Sequence, residues 1–333
     1  MSLTCVAIGL DHRHIYGMTE NMIAVGVNCL GYWTEGDPIT LPGYQKRFPD
    51  LARFETLDAA LGSGADLALI SAVPADRADL AIQAMQAGMD VMTDKPGVTD
   101  FVQLDAVKAC VAETGRIWSV NFSERFETPV TTRALELVQQ GAIGKVVHTV
   151  GLGPHRLNRT TRPNWFFDRD RYGGILTDIA SHQIDQFLCF TGSNTAKITL
   201  AHVANHANAQ DPGLQDFGEI GLRSQEASGY IRVDWYTPDA LPNWGDGRLT
   251  VLGTEGYLEL RKYVDVGGRA GTDHLVLVNG TRCENIDATD AGLPYFERLA
   301  NDIRDRTETA MTQKHCFTVM ELALKAQSMA EST

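Results

Sequence analysis

The sequence predicts two domains: a doubly wound parallel α/β sheet over residues 1–122, then an α+β domain with a mostly antiparallel, open-faced sheet over 123–333. Three observations carry this expectation. In the first 120 or so residues, short apolar runs alternate with helical patterns, as in a parallel sheet wound with helices. Beyond residue 190, apolar and polar residues alternate with period two between turn residues, which suits antiparallel strands with one covered face. The last forty residues return to helical spacing, and those helices can pack back on the first domain.

In order, Leu3–Ile8 reads as a buried strand ending at Gly9, followed by a helix over Ile15–Ala24 and a strand over Val27–Trp33. The run DLALISAV, Asp66–Val73, is a third strand. Asp76–Ala87 is a helix stopped by Gly88, since glycine accepts the left-handed conformation past a helix end. A strand over Asp90–Thr93, a helix over Asp100–Glu113 stopped by Gly115, and a strand over Ile117–Asn121 complete the first domain. Thr128–Gln140 predicts a further helix, and the pair Gly173-Gly174 opens another that runs to Phe190 without a breaker. Strands are expected over Lys197–Ala204, Phe217–Arg223, Ser228–Tyr236, Arg248–Gly253, Tyr257–Lys262 and His274–Val278, and final helices over Tyr295–Arg306 and Phe317–Glu331.

Composition excludes several classes of partner. The chain is 44% hydrophobic and 21% charged, without a low-complexity tract, as a globular protein is. A net charge of −13 would repel nucleic acid or an acidic membrane, so neither is expected as a partner. Six scattered cysteines without a CxxC suggest buried free thiols. The start lacks a basic segment and a long apolar core, and no apolar run nears the roughly 20 residues of a membrane helix. A cytoplasmic location is therefore expected.

Chemistry-bearing residues cluster in a few places. Asp178 and His182 are four apart, so an unbroken helix would put them on one face, about 6 Å apart at Cβ. A carboxylate there can orient an imidazole for proton transfer, although an acid near a helix start is also favoured by the dipole alone. Upstream stands Asp94-Lys95-Pro96 at a strand end. A dinucleotide site of the Rossmann type wants G-x-G-x-x-G after the first strand, and Gly9-Leu10-Asp11-His12-Arg13-His14 keeps only the first glycine. His12, Arg13 and His14 can donate to a phosphate, whereas Asp11 would repel one. The same His12-x-His14 pair opens a rival reading, a metal-dependent hydrolase barrel, which needs eight strand–helix repeats. After the second strand, Glu35 beside Thr34 favours NAD, while Thr34 with Lys46 and Arg47 leaves NADP open. The segment from Gly151 to Phe167 carries His155, Arg156, Asn158, Arg162 and Trp165, donors beside an aromatic platform that suit a polyhydroxylated or carboxylated ligand.

Taken in order, these landmarks resemble the glucose–fructose oxidoreductase / inositol dehydrogenase (Gfo/Idh/MocA) family over nearly the full length. They are Gly9, Ala72-Val73-Pro74, Ala87 to Pro96, Asn121-Phe122-Ser123-Glu124-Arg125-Phe126, Gly141-x-x-Gly144-Lys145, the Asp178/His182 segment and Gly253 to Glu259. The resemblance implies a nicotinamide-dependent oxidoreductase acting on a sugar, polyol or sugar-acid-like alcohol. Lys95, Asp178 and His182 would be its catalytic set. It implies NAD or NADP held by Gly9, Asp11, His12, His14, Thr34, Glu35, Ala72, Val73, Pro74, Asp94, Lys95 and Asn121. Substrate would meet Lys95, Arg125, His155, Arg156, Asn158, Trp165 and His182, with no metal. The family also implies a homodimer or homotetramer formed through the second-domain sheet. This chain departs from the pattern in its glycine-poor first turn, in Asp94 where the family usually has Glu, and in Ala78 where it often has His. A non-catalytic nucleotide- or sugar-binding regulatory protein on the same scaffold is the alternative.

Overall fold

A computed structural model describes residues 2–332. Its first sheet is wholly parallel, in the order β2-β1-β3-β4-β5, with β1 Thr4–Leu10, β2 Asn28–Trp33, β3 Leu67–Ser71, β4 Asp90–Asp94 and β5 Trp118–Asn121. Every residue of β3, β4 and β5 is buried, as strands covered on both faces require. The helices between strands are α1 His14–Ala24, α2 Leu41–Arg47, α3 Leu57–Leu61, α4 Arg77–Gln86 and α5 Phe101–Thr114. The chain leaves β1 for β2 on one side and returns to β3 on the other. The turn after β1 therefore lies at the switch point where open parallel sheets bind ligands.

The second sheet has eight strands in the order β13-β12-β11-β10-β6-β9-β8-β7. They are β6 Val146–Pro154, β7 Lys197–Ala204, β8 Phe217–Arg223, β9 Ser228–Asp234, β10 Arg248–Gly253, β11 Gly256–Arg261, β12 His274–Asn279 and β13 Cys283–Ile286. All neighbours pair antiparallel except β6 with β9. The remaining helices are α6 Ser123–Phe126, α7 Pro129–Gln139, α8 Arg169–Tyr172, α9 Ile175–Asp178, α10 Ala180–Thr191, α11 Pro294–Asp305 and α12 Gln313–Glu331. Val130, Ala134 and Leu137 of α7 bury the inner face of β10–β12 through Leu249, Val251, Leu258, Leu260, Leu275 and Leu277. Among the described residues, no helix is long and apolar enough to cross a membrane.

Besides the short helices α2, α3, α6 and α8, which were not expected, three elements differ instructively from the sequence expectation. The whole of β6, Val146–Pro154, including Gly151 and Gly153, was not expected as a strand. Its glycines are there because α10 lies directly on the strand: a Cβ at Gly151 would stand 2.9 Å from Gln183 Cγ. The expected helix from Gly173 to Phe190 is two pieces, α9 and α10, meeting at Ile179. Strand β13 escaped notice because Cys283, Glu284 and Asn285 are all exposed, leaving no alternation to read.

The chain divides into two compact units. One comprises the residues up to 121 with 163–173 and 294–320; the other comprises 122–162, 174–293 and the residues from 321 on.

Candidate active site

In the first unit, the turn after β1 is built against the end of β3. Gly9 has φ +69°, and a Cβ there would stand 2.5 Å from Ala72 Cβ, so glycine alone permits the approach. Asp11 N and His12 N both donate to Ser71 O, at 3.0 and 3.1 Å. Leu10 N donates to Thr34 Oγ1 at 3.2 Å, which makes the buried Thr34 a brace of this turn, while Glu35 beside it is exposed. Ala72, Val73 and Pro74 are buried at the β3 exit, and Asn121 stands opposite Asp94 in the β4–β5 register.

Asp94 is the centre of this region. Fully buried at the end of β4, it receives His12 Nδ1 on Oδ2 and His14 Nδ1 on Oδ1, each at 2.7 Å. Arg77 Nη2 donates to Oδ2 at 3.0 Å, and Ser71 Oγ lies 3.2 Å from the same oxygen. Burial alone would raise this carboxyl, but Arg77, with His14 and His12, holds it well below the usual carboxylate range. An ionised carboxylate only accepts, so both imidazoles donate from Nδ1. Burial pushes the His12 imidazole down to about 4 against the pull of Asp94. Burial likewise pushes the Asp11 carboxyl up to about 6, although Arg77 draws it down.

His12, His14 and Asp94 also approach closely enough to hold a metal ion. However, the Arg77 guanidinium already sets a positive charge and a donor on Asp94 Oδ2, so the group fits an ionic hydrogen-bond hub. The barrel required by the hydrolase reading is not this fold, whose parallel sheet has five strands. A nicotinamide dinucleotide fits better. The Gly9 approach, the N-terminus of α1 with exposed Arg13, and a carboxyl at Asp11 that protonates near pH 6 together tolerate a pyrophosphate. Lys95 follows the hub directly and is 4% exposed. Arg77 and Ser71 were missed in the sequence, although an arginine between two apolar runs was a visible signal.

In the second unit, neutral groups build the start of α9. Gly174 has φ +86° and ψ 152°, and a Cβ there would meet the Gln327 carboxamide at 2.3 Å. Ile175 N donates to Gln215 Oε1 and Leu176 N to Gln327 Oε1, each at 3.0 Å, while Gln327 Nε2 donates to Gln215 Oε1. Two orphan helix donors are thus satisfied by carboxamides. Ile179 keeps helical dihedrals (φ −90°, ψ −47°), and His182 N bonds Ile179 O at 3.2 Å, a tightened turn. Asp178 and His182 therefore remain about one turn apart. Both are buried, and Phe122 stands edge-on to the His182 ring, 6.3 Å between centroids.

The other substrate candidates take different parts. Arg125 grips Asp185 with Nε and Nη2, at 2.7 and 2.6 Å, and lies over Phe126. Arg156 Nη2 donates to the carbonyls of Pro238 and Leu241, both at 2.6 Å, tying down a loop that carries Trp244. His155 sits between Trp235 and Trp244, with centroids 5.2 and 4.6 Å away, and donates from Nδ1 to Gly153 O. Asn158 is exposed with φ +46°. Trp165 belongs to the first unit, unlike His155, Arg156 and Asn158. Two tryptophans outside the expected set, Trp235 and Trp244, thus flank His155.

Comparison with known proteins places the chain. Residues 45–122 match the oxidoreductase family model of the NAD-binding Rossmann fold, and residues 131–259 match that of the GFO/IDH/MocA C-terminal domain. The chain is 27% identical over 200 residues to scyllo-inositol 2-dehydrogenase (NAD(+)) of Bacillus subtilis (strain 168), covering 58% of this chain and 54% of that protein. The matched stretch thus spans about half the length of that curated relative. A solved structure from Erwinia carotovora atroseptica SCRI1043 is 42% identical, with 99% of each chain covered and a TM-score of 0.95. GenD2 from gentamicin A biosynthesis, solved in complex with NAD, shares the fold at 20% identity and a TM-score of 0.77, over 99% of this chain and 94% of its own. With both of its domains matched and a 42%-identical structure superimposing over its whole length, the chain belongs to the Gfo/Idh/MocA family.

Proposed function

We propose that the protein is an NAD(P)-dependent oxidoreductase acting on the secondary alcohol of a sugar or cyclic polyol, with NAD the favoured nucleotide. The observation that carries this reading is the placement of Gly9–His14, Ala72–Pro74 and Asp94-Lys95 on the C-terminal edge of one parallel sheet, where such sheets take nucleotides. The B. subtilis relative named for scyllo-inositol suggests a ring polyol as the substrate class. Gly9, Arg13 and the start of α1 would hold the pyrophosphate, and Glu35 the adenosine ribose.

The bound nucleotide supplies hydride acceptance. The protein residues handle the proton and the oxygen. Lys95 polarises the alcohol oxygen, as a cationic donor can. His182 takes the hydroxyl proton, and Asp178, one turn earlier, fixes the imidazole for that task. The burial of all three side chains favours the exclusion of water from such chemistry. Leu252 and Tyr257, cross-strand neighbours on the open face of the second sheet, are exposed, and we assign that face to a second copy of the chain.

Thermal shift with NAD and NADP tests the reading first, and one of them should stabilise the fold. Lys95→Ala and His182→Ala should then each cut turnover about 100-fold or more while keeping nucleotide binding. A fold indifferent to both nucleotides at millimolar concentration would overturn this reading. Light scattering on the purified chain checks the dimer.

A further inference from the structure

We propose that Arg77 is a positioning residue for Lys95: its guanidinium holds the backbone turn from which the lysine side chain is presented. The inference rests on the role assigned to Lys95 above. Arg77 is 1% exposed, and all three of its guanidinium nitrogens donate. Nε donates to Ala72 O at 2.8 Å, Nη1 to Lys95 O and Pro96 O at 2.5 and 3.1 Å, and Nη2 to Asp94 Oδ2 at 3.0 Å. One rigid planar group thus ties the exit of β3 to three consecutive residues at the exit of β4, with Lys95 in the middle.

Neutralising Asp94 would explain only one of these four bonds. That carboxylate already has donors in His12, His14 and Ser71. The other three bonds go to main-chain carbonyls, two of them on Lys95 and the residue after it. A lysine stem has four flexible carbons, so where its amine can reach depends on how firmly its backbone is fixed. Lysine at position 77 would keep the charge and lose the fork. The phosphate turn, by contrast, reaches Arg77 only through Asp94 and Ala72 and keeps its own bonds to Ser71 O and Thr34 Oγ1.

The test compares Arg77→Lys with Ser119→Ala in the full chain. Ser119 Oγ bonds Tyr295 Oη at 2.7 Å inside the same unit, so its loss perturbs the sheet without touching residues 94–96. Trace acetic anhydride labels lysine amines, and mass spectrometry reads Lys95 against the exposed Lys46. In Arg77→Lys the Lys95-to-Lys46 ratio should rise several-fold, whereas in Ser119→Ala it should stay at the wild-type value. With a turned-over ring polyol, kcat of Arg77→Lys should fall about 100-fold, the scale of an ångström of misplacement, while nucleotide affinity, still supported by the Ser71 and Thr34 bonds, changes far less. If Arg77→Lys does not fold, the double variant Arg77→Gln/Asp94→Asn, which leaves no unpaired charge, should show the same rise. A Lys95 ratio that stays at the wild-type value in the folded Arg77 variant overturns the proposal. Absence of turnover in the wild type would instead overturn the functional reading, and the labelling result stands apart from it.

Discussion

Two helix entrances carry the candidate chemistry, and different forces hold them. Before α1, a glycine-poor turn is fixed by charge: Asp94 gathers two imidazoles and a guanidinium around one carboxylate. Before α9, the pair Gly173-Gly174 and two glutamine carboxamides do the same task with neutral groups and close packing. The ionic entrance tolerates bulky residues where glycines are expected, because side chains supply the rigidity that a glycine turn gets from backbone contact. It should respond to protons. The neutral entrance should be insensitive to pH and unforgiving of volume.

The sharpest way to break this contrast is Asp94→Asn. An amide cannot accept from both imidazoles and Arg77 together, and it leaves the buried guanidinium unpaired. Removing one partner of a buried pair costs about 3–5 kcal/mol, which urea unfolding would read directly. A loss below about 1 kcal/mol, typical of an exposed pair, would mean the hub is not what fixes the turn. At the neutral entrance, Gly174→Ala combines a glycine-only backbone region with a Cβ overlapping Gln327. Strain and overpacking together should cost about 3 kcal/mol. Unfolding measured at pH 6 and pH 8 should give the same loss, because the group that an added Cβ would meet is a carboxamide, which does not titrate.

The contrast also explains what the sequence let one read. The parallel sheet, the six strands β7 to β12, and the one-turn spacing of Asp178 and His182 were legible because periodicity and glycine stops encode them locally. β6 was not, since Gly151 and Gly153 look like loop until α10 is seen lying on them. The Asp94 hub was hidden for a similar reason. His12, Ser71, Arg77 and Asp94 lie on four separate segments, and only the parallel order of β1, β3 and β4 brings them together. Arg125 and Arg156 looked like ligands for a substrate because free arginines do. Their partners, Asp185 and the carbonyls of Pro238 and Leu241, come from distant parts of the chain.

The smallest effect expected is the most specific to the ionic entrance. Asp11 is partly buried beside Asp76, and burial raises its carboxyl to about 6, with Arg77 and a Val73 backbone donor limiting the rise. A raised acid favours folding fully below its unfolded value near 3.8, and that contribution is lost as pH climbs through 6. His12, pushed down to about 4, acts in the opposite direction: its contribution is present above pH 6.5 and is lost as pH falls toward 4. Wild-type stability alone would therefore blur the two, and the difference between wild type and Asp11→Asn isolates the carboxyl. The variant should match wild type near pH 4 and gain about 1–2 kcal/mol above pH 6, less than the full shift because the group is partly exposed. Nucleotide affinity should follow the same course. With the pyrophosphate at Asp11, as proposed, wild-type binding should weaken as Asp11 ionises, whereas Asp11→Asn should hold its affinity from pH 5 to 8. Parallel curves for the two proteins would place the phosphates away from Asp11 and remove the proton sensitivity claimed for this turn.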